Sequence, residues 1–471
     1  MPTAVNESDR KRVAARVPGY ILLTDQDADL PLHERVYRRL RHLIQSGTLA
    51  HGSRIAPSRA LAASLGISRN SVLTALERLI ADGLLETRRN SGVYVTYARP
   101  AAAACDVPGA TPEDVPFALG WAMDIFPVEI WKRLQMRHWR SMPDFALHQG
   151  NRLGLPDLRK AIATYVTLKR GLVCSPAQVI VTTSIPSGID LAVRALGLPG
   201  SDAWLEEPCC QAPLAALRHC GVNTIAVPID TQGIDVAAGV ALAPRARMAL
   251  VSPTCQAPWG MTMSDKRRRA LLDWARANAA WIFEDDFNWN GDGINRAVPP
   301  LAALEPARVI YLNSFNNIMF SGLRIAYLVV PENLVDRFAA VRGTEGEVNT
   351  PNQLVLTDFI ESGYLDDHTR RLDANNAERR AALVDSVRRT LGDFLTPLDT
   401  PGGYFSCATR KIPEAAFIAA AKAGGVVVSG LSEYCAQPPR RDEVILGFSQ
   451  YTPAVISAAA LKLRAALLGR I

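Results

Sequence analysis

No apolar run in this 471-residue chain reaches the roughly 18 residues needed to cross a bilayer, and the opening MPTAVNESDRKRVAAR lacks the hydrophobic stretch of a signal peptide. A cytoplasmic protein with no membrane partner is therefore expected. The eight cysteines, at 105, 174, 209, 210, 220, 255, 407 and 435, form no CxxC pair and have no histidine at zinc-ligand spacing. They fit neither a metal site nor a disulfide framework and read as reduced thiols. Net charge is missing from most of the chain as well. The first 100 residues hold 15 Lys and Arg against 9 Asp and Glu; the whole chain has 52 against 46, which leaves 37 of each for the remaining 371 residues. All the excess positive charge sits at the N-terminal end, the footprint of a polyanion-binding head on a neutral body.

What is present begins with hydrophobic residues at 48% and charged residues at 21%, the balance of a globular protein too long for one ordinary core. From Pro31, PLHERVYRRLRHLIQSG places Val36, Leu40, Leu43 and Ile44 at helical spacing up to Gly47. PSRALAASLG predicts a second helix with Ser58 as its N-cap, Leu61, Ala62 and Leu65 on one face, and Gly66 as its stop. A third helix starts at the N-cap Ser68, buries Val72, Leu76, Leu79 and Ile80, and stops at Gly83. Two short helices meeting across Gly66-Ile67 have the spacing of a helix-turn-helix, with the Ser68 helix as the recognition helix. The following LLETRRNSGVYVTY reads as a hairpin wing turning at Asn90-Ser91-Gly92. Arg69, Asn70 and Ser71 stand at the start of the recognition helix, where a guanidinium and short donors can reach base edges while helix amides meet phosphate. Arg59, Arg88 and Arg89 flank the same groove.

Residues 31–98 resemble the winged helix-turn-helix heads of the GntR family of bacterial regulators, with the match running through residues 31–95 almost without gaps. The resemblance implies contacts to double-stranded DNA from Arg59, Ser68, Arg69, Asn70, Ser71 and Gly92. Residues 1–30 form an N-terminal extension, and 99–116 (RPAAAACDVPGATPEDVP), rich in Ala and Pro without a periodic apolar face, form a linker.

From residue 117 to 471, apolar runs of strand length (QVIVTT, AWLEE, TIAVPID, RMALVSP, WIFEDD, VIYLNSF, LRIAYLVV) alternate with helical patterns at Ser187–Leu196, Ala212–His219 and Lys266–Ala279. Such alternation argues for a largely parallel sheet covered on both faces. From about residue 353 the chain turns helical and then ends in YFSCAT, VVVSG and VILGFSQ, which predicts a smaller α+β subdomain.

The strings FALGWAMDIFPVEIWKR, GNRLGLPDLRKAIATYVTLKRG, VSPTCQAPWGMTMS, FEDDF, YLNSFNNIMFSGLRIAYLVVP and VILGFSQYTP, in this order behind such a head, resemble the MocR subfamily of GntR regulators. That subfamily fuses a winged head to a fold type I aminotransferase domain. The resemblance implies a multidomain α/β protein, a homodimer with swapped heads, and a pyridoxal-phosphate site. In it Asp285 would hold the pyridine nitrogen protonated, and Arg324, taken to stand at a strand start, would pair with the phosphate. The Schiff-base lysine, seven residues before that arginine, is replaced by Asn317, whose amide cannot form an imine, and no other lysine lies in the segment. The tyrosine expected two residues after the aspartate is Phe287, which has no hydroxyl. The phosphate loop reads TSIPSGI, so Ile185 and Pro186 replace a hydroxyl and an amide, and Pro186 also lacks a backbone donor. Cys255 stands before Gln256 where a basic or imidazole residue is expected, and Ile445 stands where an arginine would hold a substrate carboxylate.

Asp285, Phe287, Asn317, Arg324 and Gln256 are therefore the candidate ligand residues, with no catalytic residue and no metal. Pyridoxal phosphate is an admissible ligand only without a covalent bond. The leading reading is a non-enzymatic transcriptional regulator whose large domain dimerises and senses a small-molecule effector. Two others stay open: a pyridoxal-phosphate aminotransferase with a DNA-binding head, and a regulator with a purely structural dimerisation domain.

Overall fold

The computed structural model describes residues 30–45, 48–49, 51–88, 91–96, 116–148, 151–287, 298–342, 348–398, 405–437, 439 and 441–469. The chain divides into two compact units, residues 1–109 and 110–471. Arg89, Asn90, Cys105, nearly all of the N-terminal extension and most of the linker lie outside the described residues.

In the first unit α1 (Leu32–Gln45), α2 (Ser58–Leu65) and α3 (Arg69–Ala81) are followed by β1 (Leu85–Arg88) and β2 (Gly92–Val95). The apolar positions of all three helices meet in one core: Val36, Leu40, Ile44, Leu61, Val72 and Leu79 are each at most 1% exposed. Burying a side chain of this size contributes roughly 1.5–3 kcal/mol, so these positions hold the helices together. Leu65 and Ile80 are only half-buried at the rim. Ser68 caps α3, its hydroxyl accepting from the Ser71 amide at 3.1 Å. Ser58 does not cap α2. Pro57 occupies the cap position, with φ −53° and no side-chain hydrogen bond, and Ser58 becomes the first helical residue. Its hydroxyl instead accepts from Arg69 Nε at 3.3 Å. Gly66, at φ +64°, makes the left-handed turn between α2 and α3 that a side chain would disfavour. β1 and β2 pair antiparallel with Arg88 opposite Gly92 and Glu86 opposite Tyr94. Residues 52–55 add a third, short edge to this wing: Gly52 donates to Val95, Ile55 to Val93, and Val95 back to Ser53.

The second unit is built on an eight-stranded sheet. Its strands, in spatial order, are β3 (Val179–Thr182), β10 (Ala326–Val329), β9 (Val309–Ser314), β8 (Trp281–Asp285), β7 (Met248–Val251), β4 (Asp202–Glu207), β5 (Asn223–Asp230) and β6 (Gly233–Ile234). The run β9-β8-β7-β4-β5 is parallel, while β10 is antiparallel to both its neighbours and β6 to β5. Strand residues alternate between two cores. Val179, Val181, Ile282 and Tyr311 pack on one face with α5 (Pro156–Arg170) and α9 (Asp265–Ala277). Ile180, Phe283, Ile310 and Leu328 pack on the other with α6 (Ile185–Leu196), α7 (Gln211–His219) and α11 (Val335–Arg342). Both faces being buried explains why these strands read as unbroken apolar runs.

Packing makes the passage to the smaller subdomain inside a helix rather than at residue 353. α12 (Thr350–Glu361) and the first half of α13 (Tyr364–Thr390) contribute Phe359, Leu365 and Leu372 to the large core. From Leu383 onward the same helix joins a separate core with Phe117, Phe405, Phe417 and Leu463. That core covers an antiparallel sheet of β11 (Leu395–Pro397), β12 (Phe405–Thr409), β14 (Glu443–Leu446) and β13 (Ser429–Gly430), in that order. Among the described residues no helix is long and apolar enough to cross a membrane, and no group of His, Cys, Asp and Glu could hold a metal ion.

Candidate functional site

In the head, the capped start of α3 presents Arg69 and Asn70 fully to solvent and Ser71 half-exposed. The Ser68 and Ser71 hydroxyls lie 2.9 Å apart, and the Arg69–Ser58 hydrogen bond ties the beginning of α3 to that of α2. Arg59, one residue further along α2, is exposed on the same helix start. On the wing, Arg88 is exposed, lies 4.5 Å from the centre of the Tyr94 ring and is neutralised by Glu86 at 2.6 Å. The sequence reading passed over Arg54, whose alternation with the buried Ile55 on the edge strand could have marked it as outward-facing. It is exposed and bridges Tyr94 on the wing.

In the second unit a cavity of ≈ 440 Å³ opens where the carboxyl ends of β4, β7, β8 and β9 meet the N-termini of α6 and α7. Parallel α/β sheets characteristically bind ligands there, because helix amides and strand-end side chains converge on one crevice. Asp285, Phe287 and Arg324 all line it. Arg324 does not stand at a strand start: it lies two residues before β10 in the left-handed region, at φ +56° and ψ +46°, closing a short 3-10 turn. Its exposed guanidinium has no hydrogen-bond or ion-pair partner among the described residues, so it is open to an anion. Asp285 is half-buried at the end of β8, and its carboxylate accepts from the Phe287 amide at 3.0 Å. Burial pushes its pKa up to about 7, against the lowering effect of that hydrogen bond.

A second acid was not legible as part of the site. Glu206, at the end of β4, is 3% exposed, lines the cavity and accepts from the Ser252 amide at 3.1 Å. Burial pushes it up to about 8, with Asp285 adding a smaller like-charge effect. Among the described residues the cavity thus carries an unpaired arginine and two acids whose pKa values burial raises to about 7 and about 8. Such a set can hold an anionic group at one place and exchange hydrogen bonds with a polar group at another. Trp121 and Phe287 meet edge to face at 5.6 Å and form an aromatic wall.

The neighbouring candidates fall elsewhere. Asn317 is 2% exposed and is not on the cavity wall; its side-chain amide donates to the Phe287 carbonyl. Asn316 lines the cavity in its stead, held by the Ser314 hydroxyl, the Thr183 carbonyl and the Ile325 amide. Gln256 also lies off the wall; its amide ties its loop to the chain after β4, donating to the Pro208 and Ala257 carbonyls and accepting from the Trp259 amide. Cys255 is buried, and Ile445 is fully buried on β14. Pro186 lies within the first two residues of α6, where it withdraws one amide from the cavity end of that helix. Among the described residues no lysine lines the cavity, and the sequence has none between Lys169 and Lys266 or between Lys266 and Lys411.

Two family models match the chain: bacterial regulatory proteins of the gntR family over residues 32–95, and aminotransferase class I and II over residues 129–440. The probable rhizopine catabolism regulatory protein MocR of Rhizobium meliloti is 32% identical over 95% of this chain and 96% of its own length. The pyridoxine biosynthesis transcriptional regulator PdxR of Corynebacterium glutamicum is 30% identical over 90% of this chain and 95% of its own. Among solved structures, an archaeal alanine:glyoxylate aminotransferase superposes with a TM-score of 0.70 at 20% identity, covering 76% of this chain and 91% of that one. At that identity the likeness establishes the fold alone, here the fold type I aminotransferase architecture of the second unit. A gntR-type head and an aminotransferase-like body in one chain, matched end to end by a regulator, place this protein in the family of MocR-like helix-turn-helix transcriptional regulators.

Proposed function

We propose that this regulator reads an operator with the exposed start of α3 and uses its second unit to sense a small molecule without forming a Schiff base. The observation that carries the reading is the contrast between the two units. The head keeps an exposed cationic and hydroxyl set on a capped recognition helix. The body has no lysine on its cavity wall among the described residues, and Asn317, which we take to stand where the family places its lysine, has its amide bound to the Phe287 carbonyl. A wall without a primary amine forms no imine with an aldehyde.

The cavity residues fit a phosphorylated heterocycle held by non-covalent contacts. Arg324 would hold the phosphate and Asp285 a ring nitrogen, and pyridoxal phosphate is one such ligand. When bound in an enzyme that group supplies an electron sink; here its role would be that of an effector. Asp285 would orient it through the ring nitrogen, and Phe287 and Trp121 would exclude water from its face.

A homodimer is part of the proposal, with heads exchanged between protomers and an operator of two half-sites. Its support is an apolar surface in the segment 123–147, where Val128, Trp139 and Leu147 are 58%, 59% and 63% exposed together with Met123, Met136 and Phe145. The cytoplasm is the compartment proposed for it.

The test mixes the purified full chain with pyridoxal phosphate and records absorption and operator binding before and after borohydride. Reversible binding or none, with no label fixed to the protein, agrees with the proposal. A chromophore that borohydride fixes to the chain overturns it.

A further inference from the structure

Among the described residues the wing carries two arginines on its outward face, and only one of them is neutralised. Residue pairing puts Glu86, Arg88, Gly92 and Tyr94 on one side of the β1–β2 hairpin, and the Arg54–Tyr94 bridge adds Arg54 to that side from the third edge. Ile55, the next residue along that edge, points the other way and is 4% exposed in the core. Arg88 is paired with Glu86. Arg54 has no carboxylate or other hydrogen-bond partner among the described residues, although its side chain is not loose in space. Its guanidinium lies across Gly92: a Cβ added there would stand 3.0 Å from Arg54 Nε and 3.4 Å from Nη2. Gly92 has φ +116°, so the one residue that leaves room for the arginine also adopts a backbone conformation that side chains rarely take.

We infer that Arg54 is a DNA phosphate contact, laid over the wing by the missing side chain of Gly92. The inference rests on the head binding DNA through α3 and the wing, and it gives Gly92 a different task from direct contact: the glycine is the seat of a cation. Arg54 is exposed, and a guanidinium without an internal carboxylate gains most from a phosphate oxygen. Arg54 belongs to the edge strand and not to the recognition helix, so its contribution should be independent of base sequence.

The experiment uses the full-length protein, a duplex selected by it from a random pool, and a scrambled duplex of equal length. Affinity is followed by fluorescence anisotropy across a salt series. Neutralising one phosphate contributes about 0.9 to the slope of log K against log salt. Arg54→Ala is expected to lower the slope by about that amount per head and to weaken both duplexes by the same factor. Arg54→Lys, which keeps the charge, should retain the slope. Gly92→Ala, which displaces the guanidinium without removing it, should weaken both duplexes in the same direction but less, and should add little on top of Arg54→Ala. A slope and affinity unchanged by Arg54→Ala, with circular dichroism showing an intact fold, overturn the inference, as does a loss confined to the selected duplex. Arg69→Ala separates this failure from that of the underlying reading. If Arg69→Ala abolishes discrimination while Arg54→Ala does nothing, only the inference falls; if the wild-type protein prefers neither duplex, both fall.

Discussion

The side-chain amide of Asn317, in the turn after β9, donates to the backbone carbonyl of Phe287, just past the end of β8. Two residues thirty positions apart in sequence therefore form one local arrangement. The amide satisfies a carbonyl behind the cavity wall, and the Phe287 ring lines the cavity beside Trp121.

Removing that amide leaves a buried carbonyl short of a donor, which costs about 1–3 kcal/mol. Asn317→Ala is expected to lower the urea midpoint of the second unit by the corresponding amount. Asn317→Asp, which removes the donor and adds a charge, should be worse.

Arg69→Ala should reduce the preference for selected over scrambled DNA. A good bidentate base contact is worth about 1–3 kcal/mol of discrimination, so roughly tenfold is expected for each half-site. Competition binding measures it directly. Equal preference in variant and wild type would remove Arg69 from the reading residues.

The cap on the recognition helix is a separate matter from its contacts. Ser68→Ala deletes the acceptor of the Ser71 amide and should destabilise the head by about 1 kcal/mol, whereas Ser68→Asp should restore the cap. Thermal melting of the head, followed by circular dichroism in the full chain, distinguishes the two.

Glu206 gives the second unit a pH dependence of defined sign. Its folded pKa is raised from 4.5 to about 8 by burial, so between these values the folded state holds a proton that the unfolded state has lost. The stability tied to that proton is complete below the unfolded pKa and is lost as pH rises through about 8. Glu206→Gln should flatten the fall of the denaturation midpoint between pH 5 and pH 9. A slope unchanged by the substitution would assign the proton elsewhere.

Arg170 and Asp286 form a buried pair, 3% and 2% exposed, with Nε and Oδ2 2.8 Å apart. Tyr311 donates to the same carboxylate at 2.7 Å, and Arg170 also reaches Thr254 and the Val298 carbonyl. Truncating the arginine strands a charge in the core, at a cost of about 3–5 kcal/mol. Arg170→Met should therefore be among the most destabilising single changes in the second unit, and Arg170→Met with Asp286→Asn should recover part of the loss in chemical denaturation.

Much of this protein is written locally. The order of helices in the head follows from the spacing of Val36, Leu40, Leu61, Val72 and Leu79 and from glycine at 66, because a helix face and a left-handed turn are properties of a few adjacent residues. The strands of the large sheet were legible for the same reason, since both faces are buried and the runs are apolar throughout. The absence of lysine between 266 and 411 is likewise a fact of composition, and it bounds the chemistry before any coordinate is known.

What the sequence could not decide is which residues meet. Alignment to a family pattern singles out Asn317 and Gln256, yet the turn of the chain after β9 puts Asn316 on the cavity wall, and the amide of Gln256 ties its loop to Pro208, just past the end of β4. Glu206 reads as one more acid at a strand end until β4 and β8 are set two places apart in a parallel sheet, which brings it to the same cavity as Asp285. Arg54 and Gly92 are separated by 38 residues and share a surface only because residues 52–55 lie beside β2. Periodicity and side-chain chemistry are short-range and survive in the linear chain. Apposition, burial and the pKa shifts that follow from them exist only once distant strands have paired.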